Sequence, residues 1–282
     1  MADPMLESVS LRNEIFAGNR AVGRLAFTVA AAPGSSRRGR VHEAGSLRVR
    51  FPNGASETTL DAVIVNTAGG MAGGDRFAID IKVGAGARLS VTTAAAEKIY
   101  RSLGPDTEIG ITLDVAPGGT LMWLPQETIV FDQVRLRRSI DVALARDANL
   151  VLAEAAVFGR SAMGEAVIQG SFFDRWRVRV DDALVFAETL RLDGAIAQRL
   201  AQRAVANGGV AVASVIKYPG SDADAAAVRA LQEDFAGEVG ISAWNGLAVA
   251  RLVATNGAAL RRGLVAVLTA FNAAPLPRLW LN

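Results

Sequence analysis

Apolar and polar residues alternate along most of the first two thirds of the chain, and the alternation itself repeats. Three segments stack on one another: Ile79 to Val91, Ile111 to Trp123 and Ile140 to Leu152. In each, apolar residues occupy positions 1, 3, 5, 11 and 13, with a Gly-Ala, Gly-Gly or Asp-Ala turn between. A period of two predicts strands, so each copy reads as strand, turn, strand. A shorter fourth copy runs from Trp176 to Phe186, and its tail, Asp182 to Glu188, echoes Asp147 to Glu154. Copies about 30 residues apart, each unable to bury its own apolar face, predict stacked β layers as in a solenoid. An antiparallel sandwich built from hairpins satisfies the same alternation.

Upstream, Ala21 to Val29 and Leu47 to Phe51 alternate as half-buried strands, and residues 1–20 read as peripheral. After Leu192 the pattern changes. Gly194 to Ala206 suits a short helix and Val210 to Lys217 one more strand. Ser221-Asp-Ala-Asp224 is a variant capping box, followed by Val228, Leu231, Phe235 and Val239 at helical spacing. Ile241 to Val253 carries a Trp-Asn-Gly turn and a strand. A second helix starts near Ala258, with Leu260, Leu264, Val267 and Phe271 on one face. The expected fold is mainly β: one domain over residues 1–282, with solenoid-like layers of a distorted β-helix over about 20–192, then strands plus two amphipathic α-helices.

With 282 residues, 51% hydrophobic and 21% charged, the chain can bury a large core. Its longest apolar stretches are too short to span a bilayer, and Met1 to Arg12 lacks the layout of a signal peptide, so a cytoplasmic protein is expected. Cysteine is absent, which excludes disulfides and thiolate chemistry, and the single histidine, His42, excludes a multi-histidine site within one chain. Carboxylates remain for metal or acid-base work. Net charge is only +2, with 27 arginines against three lysines, and gives no sign of a nucleic-acid partner.

Three features carry candidate chemistry. The stretch Asn66 to Arg76 holds Gly69, Gly70, Gly73 and Gly74 and is closed by Asp75. It reads as a strand connection with two turns or as a backbone contact surface, while a phosphate cradle would need a following Gly-Lys-Ser/Thr. A glutamate lies beyond the second strand of each copy: Glu97, Glu127, Glu154 and Glu188. Stacking would set them in neighbouring layers near one edge, where apolar surroundings demand a partner, either an arginine or a divalent cation. Arginines on alternate residues, Arg48/Arg50, Arg135/Arg137 and Arg175/Arg177/Arg179, would gather into a basic stripe. Such a stripe is a solvated face or a docking surface for an acidic partner. RNA is disfavoured because the aromatic residues fall on the opposite face.

Six segments together resemble the urease accessory protein D family, called H in some organisms. They are Asn66–Asp75, Ala96–Ser102, Trp123–Phe131, Glu154–Glu165, Ser242–Leu247 and Leu276–Trp280, in the same order and with compatible spacing. The resemblance implies a cytosolic, non-catalytic maturation factor that binds urease apoprotein, recruits accessory protein F and, through it, the GTPase accessory protein G. It implies a β-rich stack with two helices and an internal tunnel for transient nickel(II), with no tightly bound cofactor. Asp75, Glu97, Glu154 and Glu188 match acidic or polar tunnel positions of the family, although Glu97 is serine in some relatives. Scattered carboxylates bind nickel less tightly than imidazole or thiolate clusters, as a conduit requires. Two other classes fit the residues: a free-standing β-solenoid binding module, and an enzyme with two carboxylates ~5–10 Å apart in an open cleft. Trp123 and Trp176, which would line such a cleft, fall at core positions.

Overall fold

The computed structural model describes residues 20–53, 56–160, 163–271 and 275–281, so residues 1–19 lie outside the described part. The chain begins with β1 (Val22–Ala32), β2 (Ser35–Gly45), β3 (Leu47–Arg50) and β4 (Leu60–Asn66). It then climbs through β5 (Arg76–Val83), β6 (Arg88–Thr93), β7 (Glu97–Ile99), β8 (Thr107–Val115), β9 (Thr120–Trp123), β10 (Thr128–Val130), β11 (Val134–Leu144), β12 (Asn149–Phe158), β13 (Gly170–Val180) and β14 (Ala183–Gly194). The last third carries α1 (Ile196–Ala201), β15 (Ala211–Tyr218), α2 (Asp222–Arg229), β16 (Gly237–Trp244), β17 (Leu247–Ala254) and α3 (Gly257–Ala270). None of the described helices is long and apolar enough to cross a membrane.

Two sheets face each other, one of seven strands in the order β14-β13-β11-β8-β5-β1-β2 and one of ten that runs from β16 to β3. Their centres are parallel: β1, β5, β8, β11 and β13 in the first, β4, β6, β9 and β12 in the second. Parallel neighbours exclude the sandwich of hairpins and establish the solenoid-like stack. The sequence repeat is the register itself. Ile79 pairs with Ile111, Ile111 with Ile140 and Ile140 with Trp176, while Leu89, Leu121 and Leu150 align in the facing sheet. All seven are buried, each worth roughly 1.5–3 kcal/mol of apolar transfer for a side chain of this size.

The fourth copy departs from the other three. Its second strand, β14, folds back antiparallel on β13 in the same sheet instead of crossing to the facing one. The cause is local: Asp181 and Asp182 both take positive φ (45° and 66°), the backbone of a tight two-residue hairpin. The echo of Asp147–Glu154 in Asp182–Glu188 is therefore not a stacked layer.

At β12 the ten-stranded sheet is buried on both faces, which is why this strand reads as an almost unbroken apolar run. One face of β12 (Leu150, Leu152, Ala156, Phe158) joins the core between the sheets. The other (Val151, Ala153, Ala155) meets α2 and α3 through Val228, Leu260, Leu264 and Val267. The capping box holds: Ser221 Oγ accepts from Asp224 N–H, and the Asp224 carboxylate accepts from Ser221 N–H. α2 nevertheless ends at Arg229, and Val239, which continues the helical spacing, lies on β16. Strand pairing with β17 at Gly237, Val239 and Ile241 overrides that period.

Candidate functional site

Strand parity aims a set of charged side chains at the space between the sheets. On β11, Arg138 falls between Leu136 and Ile140; on β13, Asp174 falls between Phe172 and Trp176, and the apolar neighbours all belong to the core. Across the gap, Glu154 shares the inward face of β12 with Leu152 and Ala156. Arg138, Glu154 and Asp174 are 4–6% exposed. The Arg138 guanidinium grips Asp174 with two bonds, Nε to Oδ1 at 2.9 Å and Nη2 to Oδ2 at 2.5 Å. Its Nη1 donates to Glu154 Oε2 and to Thr128 Oγ1 at 3.4 Å. Trp123 Nε1 supplies the remaining Glu154 oxygen at 2.8 Å.

Two carboxylates share one guanidinium here, leaving a formal surplus of one negative charge. Burial pushes the Glu154 carboxyl up from its ordinary value against the pull of Arg138, and the nearby Asp174 charge pushes the same way. For Arg138, burial works against the charged form, but attraction to Asp174 and Glu154 wins and raises its pKa.

Glu188 reaches the same space from β14, where it pairs in register with inward-facing Trp176. It forms an ion pair with Arg251 of β17, and Arg251 lies in register with Ser214, itself opposite Glu154. A cavity of about 30 Å³, bordered by Arg138, Glu154, Asp174, Glu188 and Ser214, has room for one or two waters. A larger cleft of about 190 Å³ shares Glu188, Leu190, Val212, Ala213 and Ser214 with it and adds Arg251 and α1. Glu154 and Glu188 thus line one space between the sheets.

The other residues singled out in the sequence lie elsewhere. Asp75 is buried, but Oδ1 accepts from Ala21 N–H (2.8 Å) and Oδ2 from Ala72 N–H (2.7 Å), so it ties the glycine loop to the start of β1. Glu97 is half-buried, accepts from Asn66 Nδ2 at 3.0 Å and lies in register with Thr128 and Ala156, but it does not line the Glu154 cavity. Glu127 faces the opposite side, paired with Arg261 at 3.0 Å. A single row of four glutamates does not form, because the short strands β7 and β10 add extra corners to the layers. Desolvation raises the Glu97 pKa against the Asn66 hydrogen bond. An ionised Glu97 therefore destabilises the fold above its raised pKa, and Glu97→Gln is expected to raise Tm at pH 8, the gain vanishing toward pH 4. Thermal unfolding at both pH values checks this.

The glycine loop docks on the next layer: Met71 N–H donates to Lys98 O and Tyr100 N–H to Met71 O. Gly70 has φ 144°, and a Cβ there would sit 2.5 Å from the Tyr100 ring. Tyr100 Oη donates to Gly69 O at 3.3 Å and its ring lies 4.9 Å from Phe131, itself capped by Arg160 at 4.5 Å, while Gly73 and Gly74 lie against Pro105. Part of the basic stripe forms: Arg135, Arg137, Arg175, Arg177 and Arg179 lie outward on the adjacent parallel strands β11 and β13. Arg135 and Arg137 share Asp106 at 2.9 and 3.5 Å, Arg175 pairs with Asp141 at 3.2 Å, and Arg177 donates to the Trp176 and Glu188 carbonyls. These and Arg179 are on the seven-stranded sheet, whereas Arg48 and Arg50 bracket Glu43 from β3 in the other. Alternation set their direction outward but carried no information on which sheet each strand would join.

Sequence reasoning missed Arg138 and Asp174. The signal was present: each is a charged residue at an inward position of an alternating strand.

Fold and site together define a β-solenoid-like protein whose two sheets enclose a line of buried charge. The family model described as UreD urease accessory protein matches residues 21–281. Urease accessory protein UreD of Rhodopseudomonas palustris strain HaA2 is 56% identical over 279 residues, covering 98% of this chain and 99% of the relative. The protein of the same name from Bradyrhizobium diazoefficiens is 53% identical over 278 residues, covering 99% and 100%. The chain belongs to the UreD urease accessory protein family.

Proposed function

We propose that this chain serves urease maturation as a non-catalytic nickel carrier, passing nickel(II) along the space between its sheets toward urease apoprotein. Glu154 and Glu188 act as transit ligands, and the glycine edge at Gly69–Gly74 lies toward a docking surface. Accessory protein F, and the GTPase accessory protein G through F, are the further partners, and the setting is the cytoplasm. The observation that carries the reading is that Glu154 and Glu188 border one narrow cavity that shares a wall with a larger cleft. Family membership supplies the urease context, and a donor set of carboxylates suits a cargo that must be released.

The test is the double substitution Glu154→Ala/Glu188→Ala. Arg138 keeps Asp174 as a one-to-one partner in this variant, so folding is expected to survive. Urease produced with the variant and all other accessory proteins should hold about 10-fold less nickel, or lower still, with activity falling in parallel. Full nickel loading alongside a folded variant would reject the path.

A further inference from the structure

Every oxygen that Glu154 and Asp174 present between the sheets is already engaged. Arg138 takes both oxygens of Asp174 and one of Glu154, and Trp123 takes the other. A cation entering the adjoining cavity therefore meets carboxylates that a resident cation holds. We propose that Arg138 is an internal counter-cation that competes with the metal for Glu154 and Asp174 and so keeps the path's affinity for divalent ions low. This rests on the carrier reading and adds to it the residue that sets release.

Three observations carry the argument. The guanidinium is itself almost fully buried, so its charge is unscreened by solvent. It stands at the wall of a cavity of about 30 Å³ beside the cluster, a space that can take a small ion. The stoichiometry of one guanidinium to two carboxylates leaves the site short of one positive charge, enough to attract a cation yet not to retain it. Each metal–carboxylate contact competes with a charge-assisted hydrogen bond to the same oxygen, which lowers the net gain of binding. Glu188 and Arg251 repeat the arrangement at the mouth, with the arginine again reaching across from the facing sheet.

The experiment measures nickel(II) binding to the full chain by equilibrium dialysis, without urease. Arg138→Met removes the charge with little change in length, and its Kd for nickel is expected to drop by about 10-fold or more. Adding Glu154→Gln to it should abolish the gain, and Arg138→Lys, which keeps the charge, should stay near wild type. Should Arg138→Met not fold, Asp174→Asn decides: it leaves a neutral Arg138–Glu154 pair, and nickel binding should weaken by about 10-fold. An unchanged Kd in folded Arg138→Met, or in Asp174→Asn, overturns the proposal. The assay is separable from delivery. If Arg138→Met gains affinity while Glu154→Ala/Glu188→Ala still loads urease fully, the counter-cation stands and the carrier reading falls.

Discussion

Arg138→Ala is expected to lower the unfolding free energy by about 3–5 kcal/mol at pH 7, the size seen when one partner is removed from a buried ion network. The magnitude follows from what is left behind. Glu154 and Asp174, at 5% and 6% exposure, would face each other across the sheets with no cation and, at Asp174, without two of its charge-assisted hydrogen bonds. The sign of the pH effect follows as well. Protonation relieves the repulsion, and Glu154, already pushed up by burial and then deprived of Arg138, binds its proton more tightly in the folded variant than in the unfolded chain. The deficit should therefore shrink as pH falls into the ordinary carboxylate range. Urea denaturation of both proteins at pH 7 and pH 4.5 reads this directly. A deficit that does not change with pH would mean that the loss is one of packing alone.

Trp123→Ala is the second large effect, with an expected loss of about 3–5 kcal/mol from truncating a fully buried indole. Trp123 is 2% exposed and serves two functions: its ring fills the space between β9 and the facing sheet, and its Nε1–H holds Glu154. Trp123→Phe separates them. It retains most of the ring and removes the donor, so its cost should be only about 1–3 kcal/mol, that of a buried acceptor left short of a partner. If the two variants are equally destabilised, the hydrogen bond rather than the ring volume dominates.

Much of this architecture was legible in the amino-acid pattern, for a definite reason. In a parallel stack, residues one layer apart occupy the same register, so Ile79, Ile111 and Ile140 recur at matching positions because they are in contact. The parity of β11 and β13 likewise told which arginines face outward. What escaped was charge at positions that parity turns inward. Arg138 follows Arg137 directly, and a run of arginines looks like one exposed patch, although Leu136 and Ile140 on either side require the second to point inward. Asp174 was hidden in the same way between Phe172 and Trp176. The placement of Glu188 was half legible: its inward direction follows from β14 alternation, but its layer depends on the Asp181–Asp182 hairpin, a backbone conformation the repeat does not encode. The extent of α2 was misjudged because Phe235 and Val239 continue a helical spacing that pairing with β17 overrides.

The most direct measurement of the central claim is the nickel content of urease, together with its activity, when urease is produced with all its other accessory proteins in the presence and in the absence of this chain. The account predicts that both fall to background without the chain and return when it is restored. Urease that acquires its nickel equally well without the chain would contradict it.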